Sequence, residues 1–378
     1  MNNVVELLPI TSVYSLEAFE NTPSNILSIG TQEKWKRGFY GKNVVIAVLD
    51  TGCETSHPDL KERIIDGYNF TEEHNGDISV YEDLNGHGTH VSGIMAGSIN
   101  ETGIVGVAPK ADLLILKVLN KRGTGSSESL IEGINYAINW RGIKGEKVRV
   151  ISLSLGLKSP NPKLHDAVKR AIENDICVVA ASGNDGDGNM ATNEYRYPGA
   201  YPEVISVGAL KEENQLADFS NTHDLVDLYA PGVGIYSTSI KSGHTLLSGT
   251  SMAAPHIAGS IALLIEEYTY LFNIRPTEEE IYKFLMGHTS EIQFEDGNRI
   301  KMIDLTESVN IRKRNSLLSA SKNKDMLLKC FCEARRTQAF FTKCLDENSS
   351  EEEREFILEL IQNSASTSEK IKEFCQNG

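Results

Sequence analysis

Between about residue 43 and residue 305, short apolar, β-branched runs alternate with longer stretches of helical period. VVIAVLD (44–50), LLILKVL (113–119), VRVISLSL (148–155), ICVVAAS (176–182) and VISVGAL (204–210) are nearly uniform in their apolar character. That pattern predicts strands buried on both faces, because a strand with one wet face alternates polar and apolar residues. SLIEGINYAINW (129–140) and KLHDAVKRAIEND (163–175) read as helices, and in the second Leu164, Val168 and Ile172 recur every four positions. The alternation predicts an α/β fold, with a mostly parallel central sheet and helices on both faces. Ligands in such folds sit beyond the carboxyl ends of the strands, so reactive residues are expected there.

The ends of the chain differ from this middle. The first forty residues are irregular and broken at PITS and NTPSN. Past residue 305, MLLKCFCEARRTQAFFTKCL (326–345) and EEEREFILELIQ (351–362) read as amphipathic helices, the second opened by Asn348-Ser349-Ser350 as a cap. The expected organisation is a short extension (1–24), a main domain (25–305) and a small helical C-terminal appendage (306–378).

Charge narrows the partners. The net charge is −15, and all of it lies in residues 1–305, with 40 acids and 25 bases, whereas the tail balances 12 against 12. An acidic body repels phosphate backbones and anionic lipid, so nucleic acid and membrane surfaces are not expected partners. The start, MNNVVELLPITSVYSLEAFE, lacks the basic and apolar regions of a secretion signal, and no apolar run approaches a membrane span. The expectation is a cytoplasmic protein whose six cysteines stay reduced. In the tail, Cys330 and Cys332 are spaced C-x-C and make no recognisable zinc pattern.

Three glycine-rich motifs each deliver one reactive side chain at an element boundary. Asp50-Thr51-Gly52 closes the strand VVIAVLD. Asn85-Gly86-His87-Gly88-Thr89-His90 opens a helix of small residues. Ser248-Gly249-Thr250-Ser251-Met252-Ala253-Ala254-Pro255-His256 precedes an apolar helix. A serine needs a general base to become a nucleophile, and the base needs a partner to fix its tautomer. Ser251, His87 and Asp50 are of the types that fill those roles. His90 and His256 read as packing groups. Cys53 is either a small buried hydrophobe or a thiol lying behind the candidate triad.

In motif order and spacing, the sequence resembles the subtilisin-like serine proteases over about residues 25–290. The resemblance implies a cytoplasmic serine endopeptidase in which Asp50, His87 and Ser251 form the triad and Asn184 holds the oxyanion. It implies a cleft flanked by Gly123 and Gly125 on one side and by Ser154, Leu155 and Gly156 on the other, which takes an extended peptide as an added strand. A selectivity pocket would involve Ala181, Gly183 and Gly199, with Asp185 and Arg196 near its rim leaving its preference undecided. It also implies a structural calcium ion on Asp59, the Asn100 side-chain oxygen and the carbonyls of Ser98, Thr102 and Ile104.

Among subtilases, the intracellular subtilisins are most similar. Glu6-Leu7-Leu8-Pro9-Ile10 stands where that group has an inhibitory segment lying across the cleft. This implies a latent enzyme, activated by removal of a piece ending between Ser15 and Asn25, and a homodimer. Two other readings stay open: a protease dedicated to leader peptides or precursors, and a non-catalytic peptide-binding regulator on the same fold.

Overall fold

The apolar runs become strands because nothing but a sheet covered on both sides can bury them. A computed structural model of the chain describes residues 4–7, 14–15, 22–294, 297–306 and 359–366. The chain divides into two units, Met1–Ser308 and Val309–Gly378. Of the second, residues 359–366 are described and are helical. They overlap the end of the helix expected at 351–362; the helix expected at 326–345 lies outside the described residues.

In chain order, β1 (Val4–Leu7) and β2 (Tyr14–Ser15) precede the short helices α1 (Ser24–Ser28) and α2 (Thr31–Lys36). β3 (Val45–Asp50), β4 (Ile64–Asn69), α3 (His87–Ala96), β5 (Asp112–Lys117), β6 (Thr124–Ser126) and α4 (Ser127–Asn139) follow. Next come β7 (Val148–Leu153), β8 (Leu155–Gly156), α5 (Pro162–Glu173), β9 (Cys177–Ala181), β10 (Ile205–Leu210) and β11 (Leu228–Pro231). The hairpin β12 (Ile235–Ser239) and β13 (Gly243–Leu247) leads into the long helix α6 (Thr250–Phe272), then α7 (Glu278–Met286), β14 (Thr289–Gln293) and β15 (Arg299–Ile303).

Nine strands form the central sheet in the order β14-β15-β11-β10-β9-β7-β3-β5-β4. All are parallel to their neighbours except β14, which pairs antiparallel at one edge. Alternate residues feed two cores. Ile46, Val48, Ile115, Val179 and Val207 pack with α3, α6 and α7. Val45, Ala47, Leu49, Leu116 and Val178 pack with α4 and α5 on the opposite face. The result is the expected three-layer α/β arrangement.

Local chemistry sets the helix ends. α4 begins two residues earlier than its apolar period because the Ser126 hydroxyl accepts the Ser129 N–H. α5 begins at Pro162, with Asn161 Oδ1 accepting from Lys163 and Leu164 N–H. α3 is buried on every side, which its small residues permit.

Burial also keeps several imidazoles neutral. It lowers the pKa of His90 to about 3 and those of His223, His256 and His288 to about 4. In the unfolded chain they titrate near the ordinary ~6.5. Their folded values are depressed, so the unfolded state takes protons first. The stability they contribute is present above about pH 6.5 and is lost as pH falls toward 4. The urea midpoint of a Ser251→Ala protein is expected to fall between about pH 7 and pH 5. A midpoint flat across that window would show that these side chains are not buried neutral.

Candidate active site

The parallel sheet brings the candidate residues to one edge. Asp50 ends β3, Ser154 follows β7, and Asn184 follows β9. His87 is the first residue of α3 and Ser251 the second of α6. Asp50, His87 and Ser251 are all nearly fully buried.

Asp50 and His87 form a close pair. His87 Nδ1 lies 2.8 Å from Asp50 Oδ1 and 3.0 Å from Oδ2. Asp50 Oδ1 also accepts the Thr51 N–H at 2.7 Å, which fixes the carboxylate. With a carboxylate against Nδ1, that nitrogen carries the proton and Nε2 is left with its lone pair. His87 Nε2 is buried and has no hydrogen-bond partner among the described residues.

The turn that presents His87 is held by a residue the motif reading passed over. Asp83 Oδ1 accepts from Thr51 Oγ1, Asn85 N–H and Gly86 N–H, each at 2.9 Å. Its Oδ2 accepts from Thr89 N–H and Oγ1. One buried carboxylate thus ties the loop after Asp50 to the start of α3. Its only sequence signal was an acid four residues before His87.

Pro255 explains how Ser251 is tethered. A proline inside a helix cannot donate to the carbonyl four residues back, here that of Ser251. The Ser154 hydroxyl donates to that carbonyl instead, at 2.9 Å. In return Ser251 Oγ donates to the Ser154 carbonyl at 3.2 Å. The nucleophile candidate is thereby anchored to the cleft wall.

Asn184 Oδ1 accepts from Thr250 N–H at 2.9 Å and Oγ1 at 2.7 Å, so its amide nitrogen is turned the other way. A Cβ built on Gly249 would stand 3.0 Å from Asn184 Nδ2 and 3.7 Å from the Ser251 nitrogen. Both nitrogens therefore lie on the side of residue 249 that a side chain would occupy.

The two segments expected to flank a cleft hold a third strand between them. β1 lies antiparallel between β6 and β8: Val5 opposite Gly125, Glu6 between Thr124 and Gly156, and Leu7 opposite Leu155. The Leu7 N–H donates to the Gly123 carbonyl at 2.8 Å. A Cβ on Gly123 would meet the Leu7 side chain at 2.7 Å, so glycine is what lets this strand sit so close. Val5 is fully buried among Leu49, Leu130 and Ile134. Leu8, Pro9 and Ile10, and residues 16–21 of the expected cleavage window, lie outside the described residues.

Ala181, Gly183 and Gly199 come together beside Arg196. A Cβ on Gly199 would meet the Ala181 carbonyl, and one on Gly183 would meet both Asn221 and Arg196. Cys53 is fully buried in the core, and burial pushes its thiol pKa up. It belongs with the buried hydrophobes. His90 and His256 bond backbone and Asn25, as packing groups do.

Ser98, Asn100, Thr102 and Ile104 wrap around Asp59. The Asp59 carboxylate accepts from Asn100 Nδ2 at 3.1 Å, Ile104 N–H at 3.0 Å and His244 Nε2 at 2.8 Å. Burial opposes its ionisation, but these hydrogen bonds hold its pKa below the usual value. The Asn100 oxygen accepts from Thr102, and the amide nitrogen faces Asp59. The amide satisfies the carboxylate as a donor here, and turning it over would present the oxygen. His57 and His244 also come within reach of Asp59, a grouping that no sequence spacing revealed. The set of carboxylate, amide oxygen and loop carbonyls suits calcium; the two imidazoles do not.

Comparison with known proteins agrees with this geometry. The family model described as "Subtilase family" matches residues 41–315. An intracellular serine protease of Paenibacillus polymyxa is 45% identical over 302 residues, covering 80% of this chain and 89% of the relative. The major intracellular serine protease of Bacillus subtilis (strain 168) is 44% identical over 290 residues, covering 76% and 89%. Subtilisin E of the same strain is 38% identical over 252 residues, covering 67% and 63%.

Proposed function

Because this chain belongs to the subtilase family and is a serine endopeptidase, we propose that Asp50, His87 and Ser251 are its catalytic triad and that residues 1–24 hold it latent. His87 Nε2 takes the Ser251 hydroxyl proton as Oγ attacks the substrate carbonyl. The carbonyl oxygen becomes an oxyanion between Asn184 Nδ2 and the Ser251 N–H. The imidazolium, steadied by Asp50, gives its proton to the leaving amine, and water then hydrolyses the acyl-enzyme.

The observation that carries the latency reading is that β1 pairs antiparallel with both β6 and β8, as an added substrate strand would. A peptidase in the cytoplasm needs such a block. Two relatives are named intracellular proteases, and among the described residues no helix is long and apolar enough to cross a membrane. The proposed setting is therefore cytoplasmic, and the proposed assembly a homodimer. Intact mass followed over time beside casein turnover tests the reading. Loss of a piece ending between Ser15 and Asn25, with rising turnover, is the expected course. A chain that stays whole yet turns over casein at a constant rate would end the latency reading.

The dedicated-processing reading predicts instead that casein resists while a single precursor is cut. The regulator reading predicts that a fluorophosphonate leaves Ser251 unlabelled.

Calcium belongs to the same proposal. Asp59, the Asn100 side-chain oxygen and the carbonyls of Ser98, Thr102 and Ile104 would hold it, and its role is to stabilise the folded state. At a concentration a hundredfold above its Kd, a ligand adds about 2.7 kcal/mol. Calcium is therefore expected to raise the Tm of the Ser251→Ala protein by several degrees over a chelator, and not to do so after Asp59→Ala. Equal Tm values with calcium and chelator would dismiss the site.

A further inference from the structure

The sequence left the selectivity pocket balanced between Asp185 and Arg196. The structure joins the two: Arg196 Nη2 donates to Asp185 Oδ1 at 2.8 Å, and Nε donates to Oδ2. This fork uses two of the five guanidinium donors. A third, on Nη1, reaches beyond the pocket to Glu6 Oε1 at 3.2 Å. The Arg196 side chain is 5% exposed, whereas those of Asp185 and Glu6 are 40% and 43% exposed. A buried cation therefore faces a position that belongs to whatever strand fills the cleft.

Register identifies that position. Leu7 is opposite Leu155 and Glu6 is opposite Gly156. A substrate strand in the same register puts the residue after Leu7's place opposite Ser154. The Ser154 carbonyl accepts from Ser251 Oγ, so the attacked carbonyl lies at that residue. Glu6's place is then the third residue before the cut.

We propose that Arg196 is a specificity-determining residue that favours substrates with Asp or Glu as the third residue before the cleaved bond. The inference rests on reading β1 as a substrate-like occupant of the cleft. When the N-terminal segment leaves, Asp185 still holds Arg196 in place, and Nη1 is returned to the next carboxylate that arrives. Lysine in the same place meets a like charge. Because the partner carboxylate is partly exposed, water and salt screen the contact, and the preference is about fivefold.

The test uses the full chain, allowed to process itself, and internally quenched peptides identical except for Glu, Gln or Lys at the third residue before the cut. Cut sites in a denatured protein mixture, mapped by mass spectrometry, give the same ranking without a designed peptide. The wild type is expected to rank Glu over Gln over Lys in kcat/KM, with the spread narrowing as salt rises. Arg196→Gln should flatten the ranking. So should Arg196→Gln combined with Asp185→Asn, which leaves no orphaned carboxylate if the single variant folds poorly. A wild type indifferent to the three residues overturns the proposal, as does a ranking that survives in both variants. A brace that merely held the pocket together would slow all three peptides alike.

Glu6→Lys in the full chain separates the two readings. If it hastens loss of the N-terminal segment while the peptides show no ranking, β1 does occupy the cleft and only the specificity inference falls. If it changes nothing and the peptides show no ranking, both fall. A protein that cuts nothing also overturns both.

Discussion

Ser251→Ala is expected to abolish casein turnover, by about 10⁶-fold in kcat, the scale of this loss in subtilisin itself. The same variant should keep its N-terminal segment indefinitely. Ser251 Oγ is the hydroxyl at the head of α6, and the base proposed to take its proton, His87 Nε2, is buried with no hydrogen-bond partner among the described residues. Alanine removes the hydroxyl without adding bulk, so the Asp50–His87 pair and the β1 pairing should persist. The fold is then unchanged by circular dichroism while chemistry is lost. His87→Ala should cost nearly as much, and the double variant no more than either single one, because the two residues act as one unit. A Ser251→Ala protein that still shed residues 1–24 in pure form would mean that Ser251 is not the nucleophile.

Gly249→Ala is expected to cost almost as much as losing an oxyanion donor outright. The added methyl carbon would stand 3.0 Å from Asn184 Nδ2 and 3.7 Å from the Ser251 nitrogen, the two groups proposed to hold the oxyanion. Removing one donor of such a pair costs about 2.7–4 kcal/mol, or 10²–10³ in kcat, as known for subtilisin. The donors engage fully only when negative charge develops, so kcat should fall while KM stays nearly constant. Asn184→Ala should show the same signature. In the double variant the losses should not add, because both changes empty the same interaction. A Gly249→Ala enzyme with a normal kcat and a raised KM would place the oxyanion elsewhere.

Much of this was legible along the chain because it is written in local chemistry. A run such as VVIAVLD has nowhere to go but a sheet buried on both faces, and VVIAVLD, LLILKVL and ICVVAAS became interior strands of one. Reactive residues at turns were also visible, since a glycine beside Asp, His or Ser marks a close backbone approach. Helix ends were less so: α4 starts at Ser127, not Ser129, because a serine hydroxyl outside the apolar period caps it.

What the sequence determined by itself was the set of parts: buried strands, amphipathic helices, three reactive turns and an acidic body. Each follows from the free energy of neighbouring residues with water and with their own backbone. What only the tertiary structure decided was which distant groups face one another. Asp83 joined to Thr51, Ser154 taking the hydrogen bond that Pro255 cannot make, His244 on the Asp59 carboxylate and Glu6 against Arg196 are pairs separated by 32 to 190 positions. No spacing rule encodes such pairs. They are fixed when apolar surfaces close and each buried polar group must find a partner among whatever the fold has placed within about 3 Å.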